Sequence, residues 1–172
     1  MASRILLRLI DEAIVPAIVV VVAKVGAVVF LVRWLDLGWH FNTETLLPSV
    51  VFENAEVGVW VNSYSNLFLY LVVLTGLIWV LVKAYHFHDR HVAPAFVLQL
   101  LSWNLTGLLA SSEDIYHQGV IWISYLWLVT VLIAAHFLLG VTFGWILVVA
   151  GVLSLLATWL LIADVEREVE NY

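Results

Sequence analysis

Long apolar runs broken by short polar connections set the layout of the chain. The first dozen residues differ. Arg4, Arg8, Asp11 and Glu12 recur at helical spacing, with Ile5, Leu6, Leu9 and Ala13 on the opposite face. That pattern predicts an amphipathic N-terminal helix over residues 3–12 lying in the membrane interface. A Val/Ala-rich run follows at 13–35, with Pro16 in its first turn, where a missing amide proton costs least. Further apolar runs cover 66–82, 92–111, 119–139 and 141–163. The last two come from one uncharged stretch, Gly119 to Ala163, which is too long for one crossing and about right for two; the glycines at 140 and 144 are the natural break. A crossing of hydrocarbon roughly 30 Å thick needs about 20 residues. The pattern therefore predicts an all-α integral membrane protein, a five-span transmembrane helical bundle forming one domain over residues 1–172.

Residues 36–65 form the one long polar connection, an outer loop with Asp36, Glu44, Glu53 and Glu56 and no Lys or Arg. It is acidic without being simply hydrophilic: Leu46, Leu47, Val50, Val51 and Phe52, then Val57, Val59, Trp60 and Val61, suit either a segment on the membrane surface or a small hairpin.

Composition agrees with the pattern. Of 172 residues, 64% are hydrophobic and 12% charged, against about 45–50% and 25% in soluble domains, which excludes a soluble fold. A net charge of −6 with no basic stripe excludes nucleic acid as a partner. The absence of cysteine removes disulfides, thiolate catalysis and Cys-ligated metal sites. The first apolar stretch begins late and runs too long for a cleavable signal peptide. Arg4, Arg8, Lys83 and Arg90 fall on one side of a five-span topology and Arg33 and Arg167 on the other. The positive-inside rule then predicts the N-terminus inside and the C-terminus outside, and an uncleaved, cysteine-free, multi-pass chain suits a prokaryotic cytoplasmic membrane.

Lys24 is the first candidate for chemistry. It stands at the centre of the first span, roughly 16 Å of helix from either edge, too far to snorkel, and such residues usually face a polar interior. The partner surface that sequence suggests is the third span, where Gln99, Ser102, Trp103 and Thr106 recur at three- and four-residue spacing with Asn104 beside them. One reading is an internal pathway or pocket for a small anion or polar solute, lined by Lys24, Gln99, Ser102, Asn104 and Thr106. The others are a lysine that fixes helix register, or one that meets a carboxylate from a partner subunit. No Asp or Glu lies inside any predicted span, which argues against a carboxylate proton relay.

Histidine is the second theme. His86, His88, His91 and His136 fall toward the inner surface in this topology, and His88 and His91 at i, i+3 could share a divalent metal with His86, Asp89 or His136. The same residues could hold a b-type haem between His86 or His88 and His136; His40 and His117 make a second pair from outer connections. No cofactor is expected on balance, with haem b or a divalent metal as the alternative. Gly140, Gly144 and Gly151 begin a small-residue stripe suited to close helix packing within the chain, in a homo-oligomer or against heterologous membrane subunits. Trp103 and Trp127, predicted at mid-membrane, each need a partner for the indole N–H, and mutual packing of spans three and four would provide one. These features favour a non-enzymatic role: a small solute or ion pathway around Lys24, or an accessory subunit of a larger membrane complex, or third, a haem- or metal-binding redox protein.

Overall fold

The computed structural model describes residues 2–42, 49–86, 102 and 112–170. Four helices, α1 (Ala2–Trp34), α2 (Ala55–His86), α3 (Ser112–Leu138) and α4 (Gly144–Glu170), follow one another along the chain. Between α1 and α2 lies an antiparallel hairpin, β1 (Trp39–Asn42) and β2 (Ser49–Phe52), with Trp39 opposite Phe52 and Asn42 opposite Ser49. The stretches Ala13–Trp34, Ala55–Ala84, Ile115–Leu138 and Gly144–Arg167 are long and apolar enough to cross a membrane.

Several predicted boundaries move for identifiable reasons. Residues 3–12 continue into the first span as one helix with Pro16 inside it, so no separate interfacial helix is formed. Tyr125 donates to the carbonyl of Ala13 at 3.1 Å, one turn before that proline. The outer loop is a hairpin followed by helix. Asn54 caps α2 by accepting from the Glu56 amide at 2.8 Å, so the helix starts eleven residues before the predicted Asn66. Gly140, at φ 71°, closes α3: its amide donates to the Phe137 carbonyl and that of Val141 to the His136 carbonyl, both at 2.9 Å, the paired bonds of a Schellman motif.

Neighbouring helices alternate in direction. Asn66 of α2 meets His136 of α3, while Val80 and Ala84 pack with Ile115 at the other end of the same pair. Trp127 and Thr130 of α3 meet Thr158 and Ser154 of α4. Ala13 and Lys24 of α1 lie level with Tyr125 and His136 of α3, so α1 and α3 run the same way. Hence the end of α2 and the start of α3 share one end of the bundle. The predicted third span over 92–111 lies, but for Ser102, outside the described residues; among them the apolar helices number four, not five. The first residue of α1 and the last of α4 also share an end of the bundle.

The core is the α2–α3 seam, filled by Leu69, Val73, Leu77, Leu126, Val129 and Ile133 with Ile146 of α4, all at most 1% exposed. A Cβ at Gly76 would overlap the Trp122 ring, which is how closely these two helices approach. Polar groups face inward here: the Tyr70 hydroxyl lies 3.0 Å from the Ala150 carbonyl and from Ser154 Oγ, itself 2.9 Å from Thr130. Outward faces are apolar, as in Val15, Ile18, Val21, Leu128, Val131, Val148 and Leu155. This inversion of the soluble pattern suits a hydrocarbon solvent, where buried polar contacts help join helices.

Candidate functional site

Asn62, Ser65 and Asn66 sit at i, i+3 and i+4 of α2 and so share one face. Lys24 reaches them from α1: its Nζ donates to Asn66 Oδ1 at 2.5 Å, Ser65 Oγ at 2.7 Å and Asn62 Oδ1 at 3.0 Å. An ammonium carries three protons and accepts nothing, so three acceptors match it completely. Among the described residues no carboxylate pairs with it; the charge is solvated by neutral oxygens. A lysine at the centre of an inserted helix costs about 2.5–3.5 kcal/mol, an upper figure for one level with the α3–α4 turn, and hydrogen bonds to a charged group contribute about 1.5–3 kcal/mol each, so three of them outweigh the insertion cost.

Beyond the ammonium the network reaches the α3–α4 turn. Because Lys24 can only donate, Asn66 must present Oδ1 to it, which leaves Nδ2 facing Thr142 Oγ1 at 3.0 Å and His136 Nδ1 at 2.9 Å. His136 Nδ1 therefore accepts, and the neutral ring carries its proton on Nε2, a nitrogen that bonds nothing else among the described residues. Asn62 repeats the arrangement, with Oδ1 toward Lys24 and Nδ2 donating to the Val141 carbonyl at 2.9 Å and to Thr142 Oγ1 at 3.2 Å. Ser63, fully buried, accepts from the Phe143 amide at 3.0 Å. The left-handed Gly140 turn brings this strip of backbone within reach of α2.

A cleft of about 930 Å³ opens at the hairpin end over this node. Val50, Phe52 and Glu53 form its hairpin side, and Asn62, His136 and Gly140 line it from the helices. The site is thus an ammonium with no carboxylate paired to it, joined through Asn62 and Asn66 to a cleft that His136, Asn62 and Glu53 line at one end of the bundle. Trp60, Tyr64, Phe143 and Trp145 surround that end, with Trp60 and Tyr64 centroids 4.3 Å apart and Tyr64 and Trp145 6.5 Å apart.

The structure brings Lys24 and His136 together and separates most of the other predicted sets. Gln99, Asn104, Thr106, His88 and His91 lie outside the described residues, and only Ser102 of the polar stripe is among them; Lys24 is satisfied by α2 instead. His136 stands beside Asn66, whereas His86 ends α2 about twenty residues further, roughly 30 Å along the helix. The pair predicted to share haem or metal is therefore split between opposite ends, because α3 runs toward the hairpin and not away from it. His40 on the hairpin and His117 near the start of α3 are split for the same reason. Among the described residues no three His, Asp or Glu side chains converge as a metal set would. Gly140 serves as the helix cap, Gly144 abuts Phe137, and Gly151 has open space where a Cβ would stand. Trp127 finds its acceptor in Thr158 at 3.0 Å, on α4 and not on the third span.

Searches against family models, curated proteins and solved structures found no match to this chain.

Proposed function

We propose that this chain is a small multi-pass membrane protein that binds a small anion, or the negative end of a small polar solute, in the cleft at the hairpin end. One observation carries the reading: the Lys24 ammonium is held on neutral oxygens, so its charge is not cancelled, and the groups that hold it lead directly to the cleft-lining His136 and Asn62. In surroundings of low dielectric such a charge acts over a longer distance than it would in water. His136 Nε2–H supplies a directed donor where the charge supplies the field.

Below the node the described core is closed by Leu69, Val73, Ile133 and Ile146. The reading is accordingly a terminal binding site entered from the hairpin end, and onward passage of a solute would require the helices to move. Arg4, Arg8, Lys83 and Arg167 belong to the far end of the bundle and Arg33 to the hairpin end; by the positive-inside rule the cleft faces away from the cytoplasm.

Thermal unfolding of the purified protein in sodium formate, nitrate, chloride and phosphate tests this, because a ligand bound only by the folded state raises the midpoint with concentration. At least one anion is expected to raise it in the parent protein and to lose that effect in His136→Phe. Equal midpoints in all four salts and in a non-coordinating reference salt would overturn the reading.

A further inference from the structure

A second recess, apart from the cleft, runs along the outside of α1 where the hairpin leans against it. It encloses about 460 Å³ and is lined by Val25, Val28, Val29, Val32, Trp39 and Val50, with Lys24 at its deep end and Arg33 at its mouth. We propose that this groove holds one acyl chain of an anionic phospholipid whose phosphate is bound by Arg33.

Three observations converge on that occupant. The first is charge: the lining contains two cations and no carboxylate, and the Lys24 ammonium is already consumed by α2. Arg33 is exposed and makes no hydrogen bond or ion pair among the described residues. Its planar guanidinium suits a phosphate through paired hydrogen bonds. The second is depth. Arg33 lies in the last turn of α1 next to the exposed Trp34 and lines the groove together with the exposed hairpin residue Trp39, the level at which interfacial tryptophans meet headgroups, while the valines extend from there toward mid-membrane. The third is lining. Lys24 and Arg33 stand about 14 Å apart along α1, and between them the groove presents only valine and tryptophan side chains, which suit a hydrocarbon chain that needs no hydrogen-bond partners.

The test places the full chain in nanodiscs of equal phosphatidylglycerol and phosphatidylcholine, extracts it gently and counts retained lipid by native mass spectrometry. Both lipids offer a phosphate, but only phosphatidylcholine brings a choline cation against the guanidinium, so the parent protein is expected to keep phosphatidylglycerol over phosphatidylcholine by about tenfold. Arg33→Gln should equalise the two lipids. Val29→Trp, which leaves the guanidinium and fills the slot, should reduce retained phosphatidylglycerol to the bulk proportion. Both positions are exposed, and unchanged melting of each variant checks that the fold is intact. The proposal is overturned by an absence of preference in the parent, by a preference that survives Arg33→Gln, or by full retention in Val29→Trp, which would make the attraction one of surface charge alone. Displacement of the lipid by inorganic phosphate would overturn it as well, by identifying a free-anion site.

Discussion

Asn66 divides its amide between two groups of opposite need: Oδ1 accepts from the Lys24 ammonium at 2.5 Å, and Nδ2 lies 2.9 Å from His136 Nδ1. The orientation of one carboxamide therefore links the half-buried charge to the protonation pattern of a ring that lines the cleft.

That linkage fixes a tautomer. With the ring neutral, the imidazole ¹⁵N shifts of His136 should show a bare Nδ1 and a protonated Nε2. In Asn66→Leu, which removes the amide donor, the preference should relax toward a mixture. A spectrum with the proton on Nδ1 in the parent protein would mean that Asn66 is turned the other way and that Lys24 is not held as described.

Lys24→Met should destabilise the bundle despite removing a charge from an apolar setting. Three charge-assisted bonds are lost, and the oxygens of Asn62, Ser65 and Asn66 are left without that donor. Set against the relief of about 3 kcal/mol in insertion cost, the net loss should be about 2 kcal/mol or more. Equilibrium unfolding in mixed micelles measures it, and a variant more stable than the parent would show that the node costs more than it contributes.

The two glycines of the small-residue stripe should respond in opposite senses. Gly140→Ala forces a Cβ into φ 71° and should cost about 1–2 kcal/mol, loosening the turn that carries Val141 and Thr142. Gly151→Ala meets nothing within 4 Å and gains helix propensity, so it should be neutral or stabilising by up to about 1 kcal/mol. Melting midpoints of the two variants decide this. A large loss at Gly151 would show that the stripe packs against something outside the chain.

Since the chain contains no cysteine, single cysteines placed at Ser3 and Glu170, in the first turn of α1 and the last of α4, can report topology without background. Both should react with an impermeant maleimide from the same side of sealed vesicles. Labelling from opposite sides would restore an odd number of crossings.

The apolar helices were legible in the sequence because hydrocarbon thickness imposes a length on them, and four of the five predicted runs correspond to helices here. Their directions were not legible, since a run of Val and Leu reads the same either way and direction depended on the count. In the five-span reading the end of α2 and the start of α3 lie on opposite sides, whereas the described helices bring them to one end, and the depth assigned to His136 changes with that. Lys24 stood out because its cost is intrinsic to the residue. Its partners did not: Asn62, Ser65 and Asn66 straddle the predicted start of the second span, and their shared face appears only once the Asn54 cap extends the helix back to Ala55. Thr142 and Val141 join through a turn whose geometry depends on Gly140, a relationship that spacing alone does not encode. The hairpin was one of two forms the outer loop admitted, and pairing of Trp39 with Phe52 selects it.

The most direct measurement is equilibrium dialysis of radiolabelled formate against the parent protein and against Lys24→Gln, a change that removes the charge and leaves two N–H donors in place of three. Saturable binding to the parent, weakened tenfold or more in a Lys24→Gln protein that melts normally, is the predicted outcome. Equal binding by the two proteins, or none by either, would contradict the assignment of this half-buried ammonium as the source of an anion site.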